Sequence, residues 1–189
     1  MSFEGVNAET LVLLVLALKG RLGRRRISRA LKMGEGRARR ILEHLHEKGL
    51  VEIVRGGTAL TPKGREEIKR KLGIEAIRRF RLDEIGEGYV GVGLHVRGLR
   101  LGRIIDLRDG AVRAGARGAL ILLYEGGSLL LPPSMENLSK YMPVLSKDVR
   151  ASFDLNDGDV VIIAFSEDLG ASLRGALGAL SHAWQLAKS

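Results

Sequence analysis

The chain has 189 residues, 45% of them hydrophobic, with a formal net charge of +9 and no cysteine. This length suits two small domains, and the apolar content is enough to build packed cores, which excludes wholesale disorder. The lack of cysteine excludes disulfides, thiolate zinc sites and cysteine nucleophiles. Leu11–Leu18, the one long apolar run, is too short to span a bilayer. Glu4 and Glu9 stand where a signal peptide would be basic. The expectation is a soluble, cytoplasmic protein with no membrane partner.

The charge is unevenly divided. Residues 1–82 carry 20 Lys/Arg and 9 Asp/Glu, a net of +11, whereas residues 83–189 carry 11 against 13, a net of −2. A heat-adapted, arginine-rich surface would bring matching acids for ion pairing, yet the first half contains no aspartate. The asymmetry predicts a polyanionic partner for the first half alone.

Asn7 reads as an N-cap, followed by a helix to Lys19 that ends on Gly20. It is apolar nearly all round, so it should lie beneath other helices. In "RLGRRRISRALKMG", Ile27, Ala30 and Leu31 have helical spacing and Gly34 marks a turn. A third helix spans Glu35 to Lys48, with Ala38, Ile41, Leu42 and Leu45 as its buried stripe. Gly36, Arg40, Glu43 and Glu47 fall on the opposite face, flanked by Arg37, His44 and Arg39. On this outward face arginines lead and acids trail, an ordering that opposes the helix dipole. A phosphate or base edge near the N-terminal end explains that ordering; helix stability does not. Leu50–Val54 reads as a strand, Arg55–Thr58 as a glycine turn, and Ala59-Leu60 as a short return strand. Thr61-Pro62 then opens a last helix.

This order, with "ISRALKMGEGRARRILEHLHEKGLVEI" followed by "LTPKGREEI", resembles the DNA-binding domain of winged helix-turn-helix transcriptional regulators. These include the repressor family first known from multiple antibiotic resistance. The resemblance covers about residues 7–72. It implies that Glu35–Lys48 enters a major groove and that Val51–Leu60 is the wing. Carried over by position, Arg37, Arg39, Arg40 and His44 face the groove, Arg55 is the wing tip, and Arg24, Arg25, Arg26 and Arg29 meet phosphates. Arginine suits both tasks, binding guanine O6/N7 in bidentate fashion or clamping phosphate. A hairpin this short, with one arginine at its tip, offers little to a minor groove. Winged helices also serve as protein-protein modules or bind RNA.

Residues 74–88 read as a linker or hinge of mixed, partly helical character. Beyond it, Tyr89–Val96 alternates as a strand and Gly102–Ala116 reads as a helix. Two strands follow across Gly126-Gly127, then helical segments on either side of Pro143. Asn156–Asp159 is a turn, Val160–Ser166 a central strand, and Asp168–Lys188 a closing helix whose small residues pack on the sheet or form a dimer seam. The order β-α-β-β-α-β-α implies an α/β domain with a mixed sheet packed by helices, over residues 89–189. Gly86, Gly88 and Gly91 formally make a GxGxxG, but a strand follows where a dinucleotide site needs a helix. The four histidines, His44, His46, His95 and His182, are not spaced as a metal set. No catalytic residue, metal or cofactor is expected. Asp106, Asp109 and Arg113 share one helix stripe with Arg108 beside it, which reads first as a salt-bridged solvent face. The functional alternative is a ligand pocket joined by Tyr124, and also by Tyr141 and Glu167.

The chain as a whole resembles an archaeal group that joins a winged helix to a C-terminal domain of unassigned function. The reading is therefore an α+β two-domain protein, with a winged helix-turn-helix at 1–73 and an α/β dimerisation or ligand-sensing domain at 89–189. The expected function is that of a sequence-specific transcriptional regulator of double-stranded DNA, a homodimer whose C-terminal domain serves dimerisation or the sensing of a small-molecule effector. Two alternatives stay open: an enzyme whose C-terminal domain is catalytic and tethered by the winged helix, and a scaffold or RNA-binding component of a transcription or RNA-processing complex.

Overall fold

A computed structural model describes residues 7–186, with side chains through residue 183. The chain divides into two compact units between Ile74 and Glu75.

In the first unit, α1 (Ala8–Lys19) is capped by the Asn7 side chain, which accepts from the Thr10 amide, and ends on Gly20. Its Val12–Leu16 core is buried against α2 (Arg24–Leu31), α3 (Glu35–Glu47) and α4 (Pro62–Leu72). A tight turn joins α2 to α3. Lys32 takes the left-handed conformation, φ 50°, and the Ser28 hydroxyl donates to the Met33 carbonyl. Gly34 is the extended N-cap of α3. Ala38, Leu42 and Leu45 are buried, as the spacing predicts, and Ile41 is partly so. Strands β1 (Val51–Val54) and β2 (Gly57–Leu60) pair antiparallel around Arg55-Gly56. Leu22 adds a short bridge to Thr58, with N···O distances of 2.8 and 2.9 Å. That bridge explains Gly57: a Cβ there would lie 2.7 Å from the Leu22 carbonyl carbon, at a φ of 134°. Thr61 caps α4, donating its hydroxyl to the Gly49 carbonyl and accepting from the Gly64 amide.

The second unit is built on a six-stranded sheet in the order β3-β4-β8-β5-β6-β7. Its strands are β3 (Ile74–Arg81), β4 (Val90–Val96), β5 (Gly118–Glu125), β6 (Ser128–Leu131), β7 (Glu136–Asn137) and β8 (Val160–Ser166). Residues 74–81 are thus an edge strand, where a segment of partly helical character is expected. Ile74, Ile77 and Phe80 are its buried residues, a spacing of three that imitates a helix and hides the strand. The pairings β4–β8, β8–β5, β5–β6 and β6–β7 are antiparallel, where a mixed sheet is expected from the element order. The reason lies in one insertion. Helix α5 (Ile104–Arg113) carries the chain from β4 to a β5 of the same direction, as a crossover helix should. β8 then fills the slot between them and opposes both. Its continuous apolar run marks that central place, and Val160–Ala164 are fully buried.

Side chains alternate across β8. Val161 and Ile163 join a core with Leu122, Phe80, Leu145, Val149 and Phe153, under α6 (Pro143–Ser152). Ala164 points the other way, toward α7 (Leu169–Leu186), which packs against α5. The small residues of α7 serve that packing: a Cβ on Gly178 would lie 2.6 Å from the Ala114 Cβ. The expected helix end at Lys188 lies outside the described residues. The glycines near the formal GxGxxG have packing roles. A Cβ on Gly91 would meet Leu82 at 2.8 Å, and Gly88 turns the β3–β4 connection with φ 82°.

Glu84, in that connection, caps α6 from 60 and 61 residues away, accepting from the Val144 and Leu145 amides at 3.1 and 2.8 Å. Acid at a helix N-terminus is favourable on charge and hydrogen bonding alike. No helix among the described residues is long and apolar enough to cross a membrane.

Candidate nucleic-acid interface

Helix α3 buries one stripe and turns the other outward. Arg37, Arg39, Arg40, Glu43, His44 and Glu47 are all exposed. At 13 residues it is about 20 Å long, and an α-helix is the right width for a B-DNA major groove. The outward arginines are not equivalent. Arg39 is bound to Glu43 one turn on, Nε to Oε1 at 2.7 Å, and this partner raises its pKa through the hydrogen bond first and charge second. Arg37 and Arg40 have no ion pair among the described residues. With Ile41, His44 and Glu9 they edge a shallow recess between α3 and α1.

The C-terminal half of that face is occupied internally. Glu9 lies 3.5 Å from His44 Nε2 and 3.3 Å from Lys48 Nζ, and Glu47 lies 3.9 Å from His44 Nδ1. His44, a groove-facing candidate by position, is therefore held in a network with two carboxylates. Glu9 is a member of the site that sequence reasoning misses. It sits on α1, and only the packing of α1 on α3 brings it there.

On α2, Arg24, Arg25, Arg26 and Arg29 are exposed. Arg24 and Arg25 approach Glu35 at 3.7 and 3.6 Å, which ties the start of α2 to the start of α3. Surface pairs of this kind contribute at most about 1 kcal/mol, so phosphate can displace them. Arg26, Arg29 and the wing-tip Arg55 make no ion pair among the described residues. Ile53 and Val54 beside Arg55 are exposed at 48% and 40%, unusual for aliphatics in a hairpin. Period-two alternation would bury Ile53 together with Val51, but only Val51 of this strand is buried.

The second unit divides the other expected set. Asp106, Arg108, Asp109 and Arg113 lie on α5, whereas Tyr124 packs with the core under α6, on the opposite face of the sheet. They do not form one pocket. Asp106 pairs with Arg103 at 3.8 Å, and Arg113 donates to the Asp109 carbonyl at 3.3 Å, as on a solvent-facing helix. Arg108 keeps a buried Nε with no hydrogen-bond partner among the described residues. Tyr141 is half exposed beneath Lys140, and Glu167 pairs with Arg117 at 3.4 Å. A polar pair the sequence does not betray lies in the core. His95 Nε2 donates to Asp159 Oδ2 at 2.8 Å, both side chains being almost fully buried.

Comparison with known proteins places the second unit. A family model described as a domain of unknown function, DUF4443, matches residues 85–183. The chain belongs to this family. Its match starts beyond β3 and takes in α5, α6, β8 and nearly all of α7. Among solved structures, a hypothetical protein, PH0730 from Pyrococcus horikoshii OT3, is similar over 97% of this chain and 94% of its own. The identity is 29% and the TM-score 0.75. T. acidophilum IdeR matches 34% of this chain and 32% of its own at 33% identity, with a TM-score of 0.30. No curated protein matches.

Proposed function

We propose that the first unit is a winged helix-turn-helix that binds double-stranded DNA, and that the protein regulates transcription as a homodimer with the second unit dimerising or sensing a small ligand. One observation carries this reading. The solvent face of α3 opens with Arg37 and Arg40, which have no ion pair among the described residues, and the α2 arginines and the Arg55 hairpin add cations to the same small unit. A helical core requires none of these. The dimer follows from economy of recognition, since one helix reads few bases and two half-sites a helical turn apart multiply specificity.

Selection of binding sites from a random duplex pool, run with the full chain at two salt concentrations, tests it. A consensus with two-fold symmetry is expected, with log K falling by about 0.9 per phosphate neutralised for each unit of log salt. Affinity indifferent to salt would overturn the reading.

Gly36 gives a second test. It is the second residue of α3, and a Cβ there would stand in open space with no positive φ to strain it, so nothing among the described residues requires glycine. Gly36→Ala should stabilise the fold by about 0.5–1 kcal/mol. It should weaken DNA binding at the same time, because a Cβ would stand between the helix and a backbone that approaches it closely. A stabilised variant with unchanged affinity would show that DNA does not approach at this turn.

A further inference from the structure

The second unit carries an open groove of about 600 Å³ beside α6, within the size range of small-molecule sites. One face of α6 forms its wall, with Pro143, Ser146, Lys147 and Arg150 at helical spacing, and Tyr124 of β5 and the chain after α6 complete it. We propose that this groove binds a small organic anion, a carboxylate or phosphate monoester with an apolar body, and is the effector site of the second unit. The assignment rests on the ligand-sensing reading of the second unit, but anion binding in the groove does not depend on DNA binding by the first.

The charge balance points to an anion. Lys147 and Arg150 are exposed, and neither has an ion pair among the described residues. The one acid on the rim, Asp154, has a 99% exposed side chain and shares Arg97 at 3.8 Å. Attraction to the helix dipole accounts for a cation in the last turn of α6, where Arg150 stands. It does not account for what lies beside it. Ser146 is only 4% exposed, and its hydroxyl has no hydrogen bond among the described residues. Its own amide is already used, donating to the Met142 carbonyl at 3.0 Å. The oxygen is not among the fully buried atoms left without a partner, so it reaches the groove, where it is free to donate to water or to a bound anion.

The Tyr124 phenol likewise has no hydrogen bond among the described residues, and the ring is half-buried. The Ser139 hydroxyl, by contrast, is spent on Asn137 Oδ1 at 2.8 Å. The donors left for an anion are thus Ser146, Tyr124, Lys147 and Arg150, and charge-assisted hydrogen bonds from the two cations are the strong ones. Phe153, Leu155 and Pro143 supply apolar surface for the rest of the molecule.

Phenyl phosphate is a direct probe. Titrated into the full chain at fixed ionic strength, it should give saturable amide shifts in two-dimensional ¹H–¹⁵N spectra, centred on Ser146–Arg150, Phe153–Leu155 and Tyr124. A Lys147→Ala/Arg150→Ala variant should bind at least about tenfold more weakly, and Ser146→Ala about threefold, as loss of charge-assisted and neutral hydrogen bonds implies. Superimposable spectra elsewhere in these variants would show that the fold is intact. Inorganic phosphate should bind more weakly than phenyl phosphate, and equal binding would overturn the apolar-bodied ligand. Shifts that do not saturate, or that survive both substitutions unchanged, would overturn the site. Because the readout is residue-resolved, anion binding by the arginines of the first unit is seen separately.

Discussion

Replacing Arg37 and Arg40 together by alanine should lower affinity for the selected DNA site by at least about 30-fold, because each well-formed arginine–base contact discriminates by about 1–3 kcal/mol. It should also flatten the difference between the selected site and random duplex. The expectation rests on the unequal states of the α3 arginines. Arg39 begins in a 2.7 Å contact with Glu43 and must surrender it to reach DNA, whereas Arg37 and Arg40 have no ion pair among the described residues to surrender. Arg25→Ala provides the contrast. Its guanidinium stands 3.6 Å from Glu35 on an exposed pair, which phosphate replaces at little cost. Removing it should weaken all sequences alike and reduce the salt slope by about 0.9, the value of one phosphate contact. Fluorescence anisotropy with specific and random duplexes across a salt series measures both effects. If the double variant lost affinity equally for every sequence, α3 would be a phosphate-binding surface and not a reader of bases.

What made α3 readable is that its signals are local. Ala38, Leu42 and Leu45 recur within three turns, Gly34 and Gly49 bound the helix, and the glycine pair after Val54 needs no distant partner to turn the chain. β8 is legible for a similar reason, since its apolar run is short, rich in β-branched residues and opened by the Asn156–Asp159 turn, as an interior strand is. Elsewhere the decisive interactions are distant in sequence. Glu9 meets His44 and Lys48 through the docking of α1 on α3, and Glu84 caps α6 from 60 residues away. β3 was hidden by a burial period of three, and the antiparallel sheet by the insertion of β8 between two strands that a helix connects. Tyr124 shows the same limit at the level of a site. Its polarity marks it as a ligand candidate, but only the alternation along β5 decides whether it joins α5 or α6.

The same limit hides His95 and Asp159, 64 residues apart and in contact in the core of the second unit. Asp159→Ala should destabilise that unit by about 3–5 kcal/mol, the usual cost of leaving one member of a buried pair without its partner. The carboxylate accepts from His95 Nε2 at 2.8 Å and from the Asn156 amide at 2.9 Å, with Arg97 Nε at 3.6 Å. Arg97 in turn faces Glu75 and Asp154 at 3.9 and 3.8 Å. The backbone around Asp159 holds the turn to the end of β5, through Tyr124 N to Asp159 O and Gly158 N to Tyr124 O, both 2.8 Å. Losing the carboxylate therefore loosens a junction of three strands as well as orphaning an imidazole. Burial alone would raise the pKa of Asp159. The Asn156 amide, the His95 hydrogen bond and the nearby charges of His95 and Arg97 outweigh burial and hold it below the ordinary aspartate value. A folded-state pKa below the unfolded one means that stability is gained above the unfolded pKa of about 4 and lost as the pH falls through the folded value. In calorimetry, the gap between wild type and Asp159→Ala in the transition of the second unit should thus be full at pH 6–7 and narrow steadily below about pH 4. A gap of the same size at pH 3 would mean that Asp159 acts through shape and packing, with its charge contributing nothing.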